Sequence, residues 1–173
     1  MTHQSSPAHT QAEQKLLRDA LGSFATGVTV VTTVTPEGQR IGLTANSFTS
    51  VSLDPPLVLW SLKKNSANLE VFRRATHFAV NVLTAEQKDL CFRFASKTDG
   101  DRFDGVPLEP SCFGLPLLAD SLARFECSTY HEVEAGDHVM FLGRVEAFRK
   151  GQGDALIFSG GRLLEPAPVA LAA

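Results

Sequence analysis

The sequence predicts a mainly β (α+β) domain, an antiparallel barrel with short peripheral helices. Three observations carry this. About seven runs have the β-branched or alternating character of strands. Most of them are joined by short turns rich in Gly, Asp and Pro, as in hairpins. Long crossover helices do not alternate with the strands, which excludes a doubly wound parallel sheet.

Along the chain, residues 1–11 are polar and aperiodic and read as a disordered tail; the domain spans residues 12–166, and a small-residue tail covers 167–173. Leu16, Leu17, Ala20, Leu21 and Phe24 recur at helical spacing from Ala12, with Gly27 as the expected stop. Residues 28–35 are almost wholly β-branched and form a strand. A turn at 36–39 leads into a second strand starting at Arg40, so the two make a hairpin. That second strand runs into Gly42-Leu-Thr-Ala-Asn-Ser-Phe-Thr-Ser-Val-Ser52.

Asp54-Pro55-Pro56 breaks the pattern before a buried strand at 57–62. Asn65-Ser66 is the expected start of a helix that ends near Arg73 and Arg74. A strand at 77–83 follows, then a capping box, Thr84 with Gln87, opening a helix through Phe94. Residues 96–114 are rich in turn formers and make a long irregular section. Three longer strands are expected at 122–133, 138–149 and 155–164.

Composition narrows the function classes. The 173 residues suffice for one full core, with 43% hydrophobic and 20% charged residues. A net charge of -3 leaves no broad cationic face for a nucleic-acid backbone. No apolar run approaches the roughly 20 residues that span a bilayer. Cys91, Cys112 and Cys127 are scattered and odd in number, without metal-ligand spacing. These features indicate a cytoplasmic protein with reduced thiols and no structural metal.

Familiar catalytic signatures are missing. Gly151-x-Gly153 joins two strands and has Leu156 where a dinucleotide fingerprint needs its third small residue. There is neither a P-loop nor a G-x-S-x-G elbow. Asp137 and His138 adjoin in sequence, a poor arrangement for a carboxylate that must orient an imidazole.

Ligand-holding features remain. Residues 44–50 carry many small donors and acceptors between two apolar runs, which suits close contact with a flat polar ligand. Asn65-Ser66 at a helix start, preceded by Lys63 and Lys64, is a candidate anion site. Lys97 and Arg102 in the long loop can reach phosphate, and Trp60, Phe94 and Phe103 are aromatics for core or ring contact. His138, after Gly136-Asp137 at a strand start, is the histidine best placed for a barrel mouth.

In order, Phe24-Ala-Thr-Gly-Val-Thr-Val-Val, Gly42 through Pro56, Asn65-Ser66, Phe78-Ala-Val-Asn-Val-Leu83 and Gly136-Asp-His138 form one pattern. With it the chain resembles the short-chain flavin reductases from about residue 15 to 165. The resemblance implies an antiparallel split β-barrel, the FMN-binding split barrel, and NAD(P)H:flavin oxidoreductase activity. FMN or FAD would be the flavin, NADH or NADPH the hydride donor, and a separate flavin-dependent monooxygenase the receiver of reduced flavin. The same resemblance implies a homodimer.

It also assigns residues. Thr44, Ala45, Asn46 and Ser47 would line the flavin ring with their N–H and hydroxyl groups, bordered by Ser61 and Leu62. Asn65 and Ser66 would hold the phosphate. Phe94, Ala95, Ser96 and Lys97 would cover the ribityl and phosphate side, with Arg102 a further contact. Asp137 and His138 would meet the nicotinamide, His138 as the catalytic-site histidine that positions it. A flavin-binding electron carrier or sensor without nicotinamide turnover is the alternative. The Gly136-Asp-His138 turn favours the enzyme, since a carrier needs no nicotinamide platform.

Overall fold

The computed structural model describes residues 10–97 and 100–164, so most of both expected tails lies outside the described residues. The chain opens with helix α1 (Gln11–Gly22). Thr10 caps it: its Oγ1 accepts from the Glu13 amide at 3.3 Å, and Glu13 Oε2 accepts from the Thr10 amide at 2.7 Å. The helix therefore starts one residue before the expected Ala12. It also stops well before Gly27, because Ser23 caps its end and strand β1 (Thr26–Gly27) already pairs with a later strand.

Next come β2 (Thr29–Val34), β3 (Arg40–Ala45), β4 (Thr49–Leu53), β5 (Pro56–Lys63), α2 (Leu69–Arg74) and β6 (His77–Val82). A 3₁₀ turn (Ala85–Gln87) runs into α3 (Lys88–Ala95), and the Gln87 side chain accepts from the Thr84 amide at 3.1 Å, as the capping-box pattern requires. Among its described residues the irregular section holds only β7 (Leu108–Glu109), which pairs with β8 (Leu117–Leu118). Two long strands, β9 (Ala123–Ala135) and β10 (His138–Lys150), form a hairpin. The last expected strand is instead a small hairpin, β11 (Ile157–Ser159) with β12 (Arg162–Leu164). Gly160 and Gly161, at φ +56° and +77°, turn the chain between them.

Seven strands form the main antiparallel sheet in the order β3-β2-β6-β9-β10-β5-β4. Strands β3 and β4 follow each other in sequence yet lie on opposite edges. Only residues 46–48 connect them, a link whose extended reach is about 14 Å. The sheet must therefore curl until its edges come close, but β3 and β4 do not pair. The result is a split barrel whose open seam runs beside residues 46–48.

Both faces of β2 are covered, which explains its unbroken β-branched sequence. Val31 packs inside the barrel with Trp60, Phe72, Phe78, Val80, Cys127 and Phe141. Val28 and Val30 face a second cluster with Cys91, Phe94, Phe103 and Leu156, under α3 and the terminal hairpin. Trp60 anchors the first cluster, stacked on Phe141 at 4.9 Å and edge-on to Phe72 at 4.9 Å. Gly143 is required at the β9–β10 bulge, since a Cβ there would run into the Phe78 ring and come within 2.9 Å of Cys127 Cβ.

Candidate functional site

The seam of the barrel opens onto a cleft of about 610 Å³. Its walls gather Thr44, Ala45, Asn46, Ser47, Ser61, Leu62, Asn65, Ser66, Phe94, Ala95, Ser96, Lys97, Arg102 and His138. These positions span almost one hundred residues of sequence and come from β3 and the link after it, β5 and the turn after it, α3 and the loop after it, and β10. Of the expected site residues only Asp137 is not on the wall.

Strand β3 supplies the first wall because it is an edge strand. It pairs with β2 on one side only, so alternate N–H and C=O groups on the other side have no strand partner. The side-chain hydroxyls here have internal work. Thr44 Oγ1 donates to the Cys91 carbonyl at 2.7 Å, pinning the end of β3 to α3. Ser47 Oγ donates to the Ser61 carbonyl at 3.2 Å and accepts from the Ser61 amide at 2.9 Å. Ser47 thus clips the seam-crossing link onto β5. Both hydroxyl protons are thus donated inside the chain, and the donors left toward the cleft are backbone N–H groups and the exposed Asn46 side chain.

The second wall follows from register. On β5, Val58, Trp60 and Leu62 turn into the core, so Ser61 and Lys63 lie on the opposite face. His138 on β10 pairs with Lys63, and Met140 with Ser61, which brings His138 beside the cleft. Leu62 is only 7% exposed and bounds the cleft from the core side.

His138 is half-buried, and its Nδ1 lies 2.7 Å from Asp137 Oδ1. Adjacency in sequence does not prevent the carboxylate from orienting the imidazole, contrary to the expectation drawn from their spacing. The turn at Gly136 (φ +59°) folds the Asp137 side chain back along its neighbour. A carboxylate only accepts, so the proton sits on Nδ1 and Nε2 is left for other partners. The hydrogen bond from His138 is the main reason the Asp137 carboxyl is held below its ordinary range.

Asn65 and Ser66 do not start a helix. They occupy a turn, with the Ser66 amide bonded to the Lys63 carbonyl at 3.0 Å, and α2 begins three residues later with Asn68 at its N-cap. Asn68 makes no side-chain cap hydrogen bond, which leaves its amide for the cleft it lines. The two lysines part company. Lys63 lines the cleft, whereas Lys64 Nζ bonds Glu134 at 3.0 Å within a network built on Arg73. Ala67 and Asn68 were missed from the sequence because the helix start was misplaced.

The third wall is α3 with the loop after it. Phe94 is 2% exposed and packs edge-on to Phe103 at 4.9 Å, so it backs the cleft as core. Gly42 permits this: a Cβ there would lie 2.7 Å from the Phe94 ring. Arg102 ties the loop down, donating to the Gly42 carbonyl at 3.1 Å and the Ser96 carbonyl at 2.7 Å. No carboxylate among the described residues forms an ion pair with it, and its Nε is buried without a hydrogen-bond partner. Lys63, Lys97 and Arg102 give the cleft cationic side chains. The wall at residues 44–47 is neutral and polar.

No described group of three or more His, Cys, Asp or Glu side chains is arranged to hold a metal. The buried Cys127 is no nucleophile, because burial first, then Glu146 and Glu126, pushes its thiol up to about 12. Trp60, fully buried, does not reach the cleft. The neutral wall suits a flat polar ring and the cationic side chains a phosphate, since no carboxylate among the described residues pairs with Arg102.

Comparison with known proteins identifies the family. The family model described as a flavin reductase like domain matches residues 21–165. The chain is 51% identical over 144 residues to the FMN reductase (NADH) SmoA of Agrobacterium fabrum, covering 83% of this chain and 81% of that protein. It is 39% identical over 137 residues to the flavin-dependent monooxygenase reductase subunit HsaB of Mycobacterium tuberculosis, covering 79% of this chain and 72% of that one. Among solved structures, the NADH:FAD oxidoreductase SgcE6 of Streptomyces globisporus superposes with a TM-score of 0.87 at 38% identity, covering 95% of this chain and 99% of that one. The split barrel, its seam-side cleft and these relatives together place the chain in the flavin reductase-like family of oxidoreductases, to which it belongs.

Proposed function

We propose that this protein oxidises NADH, reduces FMN or FAD, and delivers the reduced flavin to a separate monooxygenase component. The observation that carries this reading is one cleft lined together by the neutral polar run Thr44–Ser47, the cationic Lys97 and Arg102, and His138. When bound, the flavin supplies the chemistry by accepting a hydride at N5 from nicotinamide C4. The protein's own work is alignment.

The open edge of β3 at residues 44–47 would hold the ring's polar edge and stabilise negative charge gained there. Asn65, Ser66, Ser96, Lys97 and Arg102 would hold the phosphate. His138, with its tautomer fixed by Asp137, would offer Nε2 to the nicotinamide amide as a positioning contact. No strong acid is needed, in keeping with a cleft wall that carries no carboxylate among the described residues. NADH rather than NADPH is supported by the names of the Agrobacterium and Streptomyces relatives. A separate oxygenase is supported by relatives named as reductase components and subunits.

A homodimer is supported by α1, which buries none of its residues and leaves Leu16, Leu17 and Leu21 exposed. The cytoplasm suits the three free thiols. No helix among the described residues is long and apolar enough to cross a membrane.

The test mixes purified protein with NADH and excess FMN or FAD and follows loss of the dihydronicotinamide absorbance. Turnover with free flavin is the expected outcome. A tightly yellow protein that leaves NADH untouched would overturn the reductase and point to a flavin carrier.

A further inference from the structure

His138 stands at the tip of an arm that the sheet supports on one side. Pairing of β6 with β9 ends at His77 and Ser128, and just beyond it Thr129 bonds the Ala75 and Thr76 carbonyls. Residues 130–135 are exposed, and β10 is their strand partner. On its other side β10 pairs with β5 as far as His138 and Lys63, and the Lys64 amide bonds the Asp137 carbonyl at 2.9 Å. We infer that Glu134 is a positioning residue for the reaction: with Lys64 and Arg73 it locks this tip to the 64–66 turn and to α2, and so sets where His138 stands beside the cleft. The inference rests on the reading of the cleft as a reductase site and extends it.

Glu134 joins three segments of chain. Its Oε2 accepts from Lys64 Nζ at 3.0 Å and its Oε1 from the Arg73 guanidinium at 2.8 Å, so each oxygen is held from a different element. Arg73 also lies 3.7 Å from Glu132 and bonds Glu70 of its own helix at 3.3 Å. It projects from a fixed base, because Leu69 and Phe72 of α2 are buried in the barrel core. An isolated exposed ion pair contributes little, but several charges meeting on one carboxylate form a network with set geometry. The hydrogen bond from Lys64, and then that from Arg73, hold the Glu134 carboxyl below its ordinary range, so it stays charged at neutral pH.

The clamp works from the face of the arm opposite to the cleft. Glu134 lies across from Val139 and Glu132 across from Phe141, both core residues, so the two acids share the core-facing side. His138 adjoins Val139 and points to the other side, where it lines the cleft. Lys64 is placed in the same way: Lys63 and Asn65 on either side of it line the cleft, and Lys64 does not. None of Glu134, Arg73 and Lys64 belongs to the described cleft wall. Any effect they have on NADH must therefore pass through the placing of His138 and of the Asn65–Ser66 turn.

The test compares the wild-type protein with Glu134→Gln, Arg73→Gln and the double variant, both in NADH oxidation with excess flavin and in amide hydrogen exchange. Each single variant should lower kcat/KM for NADH about three-fold, with KM for flavin moving less than about two-fold. The double variant should be no worse than the singles, because either change already opens the clamp. Exchange should quicken at residues 135–138 and 64–66 while the barrel core keeps its protection. Quicker exchange with unchanged NADH kinetics would make the network purely structural and overturn the positioning role. Unchanged exchange, or losses that add up in the double variant, would overturn the clamp itself. A wild-type protein that leaves NADH untouched is a separate result: the reductase reading then fails, and the positioning role falls with it whatever the exchange shows.

Discussion

His138 Nδ1 and Asp137 Oδ1 stand 2.7 Å apart at the first residues of β10, a carboxylate and imidazole that are neighbours in both sequence and space. Asp137 is 85% exposed while His138 is 36% exposed, so the acid sits in water and the ring leans toward the cleft. The pair holds the imidazole in one tautomer and one orientation. In the function proposed above it would serve as a positioning device.

Two substitutions separate positioning from chemistry. His138→Ala should lower kcat/KM for NADH about ten-fold with KM for flavin nearly unchanged. Asp137→Asn should cause a smaller loss of the same kind, about three-fold, because an amide can still meet Nδ1 but no longer selects the tautomer. The Asp137 carboxyl titrates below its ordinary 3.8, chiefly through the His138 hydrogen bond, so its contribution is complete above that value and is lost as pH falls through the lowered one. Ionisation of Asp137 should therefore leave the neutral range flat. Unchanged NADH kinetics in His138→Ala would remove His138 from the site.

The residues at the seam predict opposite phenotypes. Asn46 is exposed and lines the cleft, so Asn46→Leu should raise KM for flavin about ten-fold and leave the melting temperature alone. Ser47 spends its hydroxyl on Ser61 from both sides. Ser47→Ala should therefore cost about 1 kcal/mol, a fall of roughly 3 °C in melting temperature for a domain of this size. Thermal melts and flavin titrations on both variants give the comparison. A stable Ser47→Ala protein would mean that the link needs no clip.

Gly42 is where fold and cleft meet. A Cβ would stand 2.7 Å from Phe94 and 2.9 Å from Phe103, two rings that are themselves in contact. Gly42→Ala should cost about 1–3 kcal/mol and shift the back wall of the cleft. A melting curve measures the first effect, and flavin affinity the second, with both expected to worsen together. A neutral outcome would show that the two rings yield freely.

Much of this was legible in the sequence, for reasons tied to particular residues. The β-branched run at β2 reads as a strand because both of its faces are buried. The small polar run at residues 44–47 stands out from a core strand because it lies at a sheet edge and lines the cleft. Other features depend on distant partners. Gly27 is no helix stop, since Thr26 and Gly27 pair with Phe158 and Ile157 far along the chain. The helix expected at Asn65 yields to a turn drawn in by Lys64, whose amide bonds the Asp137 carbonyl at 2.9 Å. The split itself rests on which edges β3 and β4 occupy, and no local pattern states that. Gly160-Gly161 was a readable turn signal in the last strand run, and it marks the β11–β12 hairpin.

The last prediction concerns α1. Its Leu16, Leu17 and Leu21 are 69%, 49% and 68% exposed, and Phe24 just beyond is 78% exposed. The helix carries an apolar stripe at the right spacing, yet none of its residues is buried. Isolated helices of about 12 residues are marginal in water, so packing from outside the chain should stabilise this one. Each of these side chains would contribute roughly 1.5 kcal/mol or more if covered. A second copy of the chain covers them in the homodimer proposed above. Light scattering should then give twice the 18.7 kDa of one chain, and the melting temperature should rise with concentration. Replacing Leu17 and Leu21 with Glu should shift the mass toward one chain and lower the melting point. A wild-type protein with the mass of a single chain would remove the homodimer and leave the α1 stripe for the oxygenase to cover.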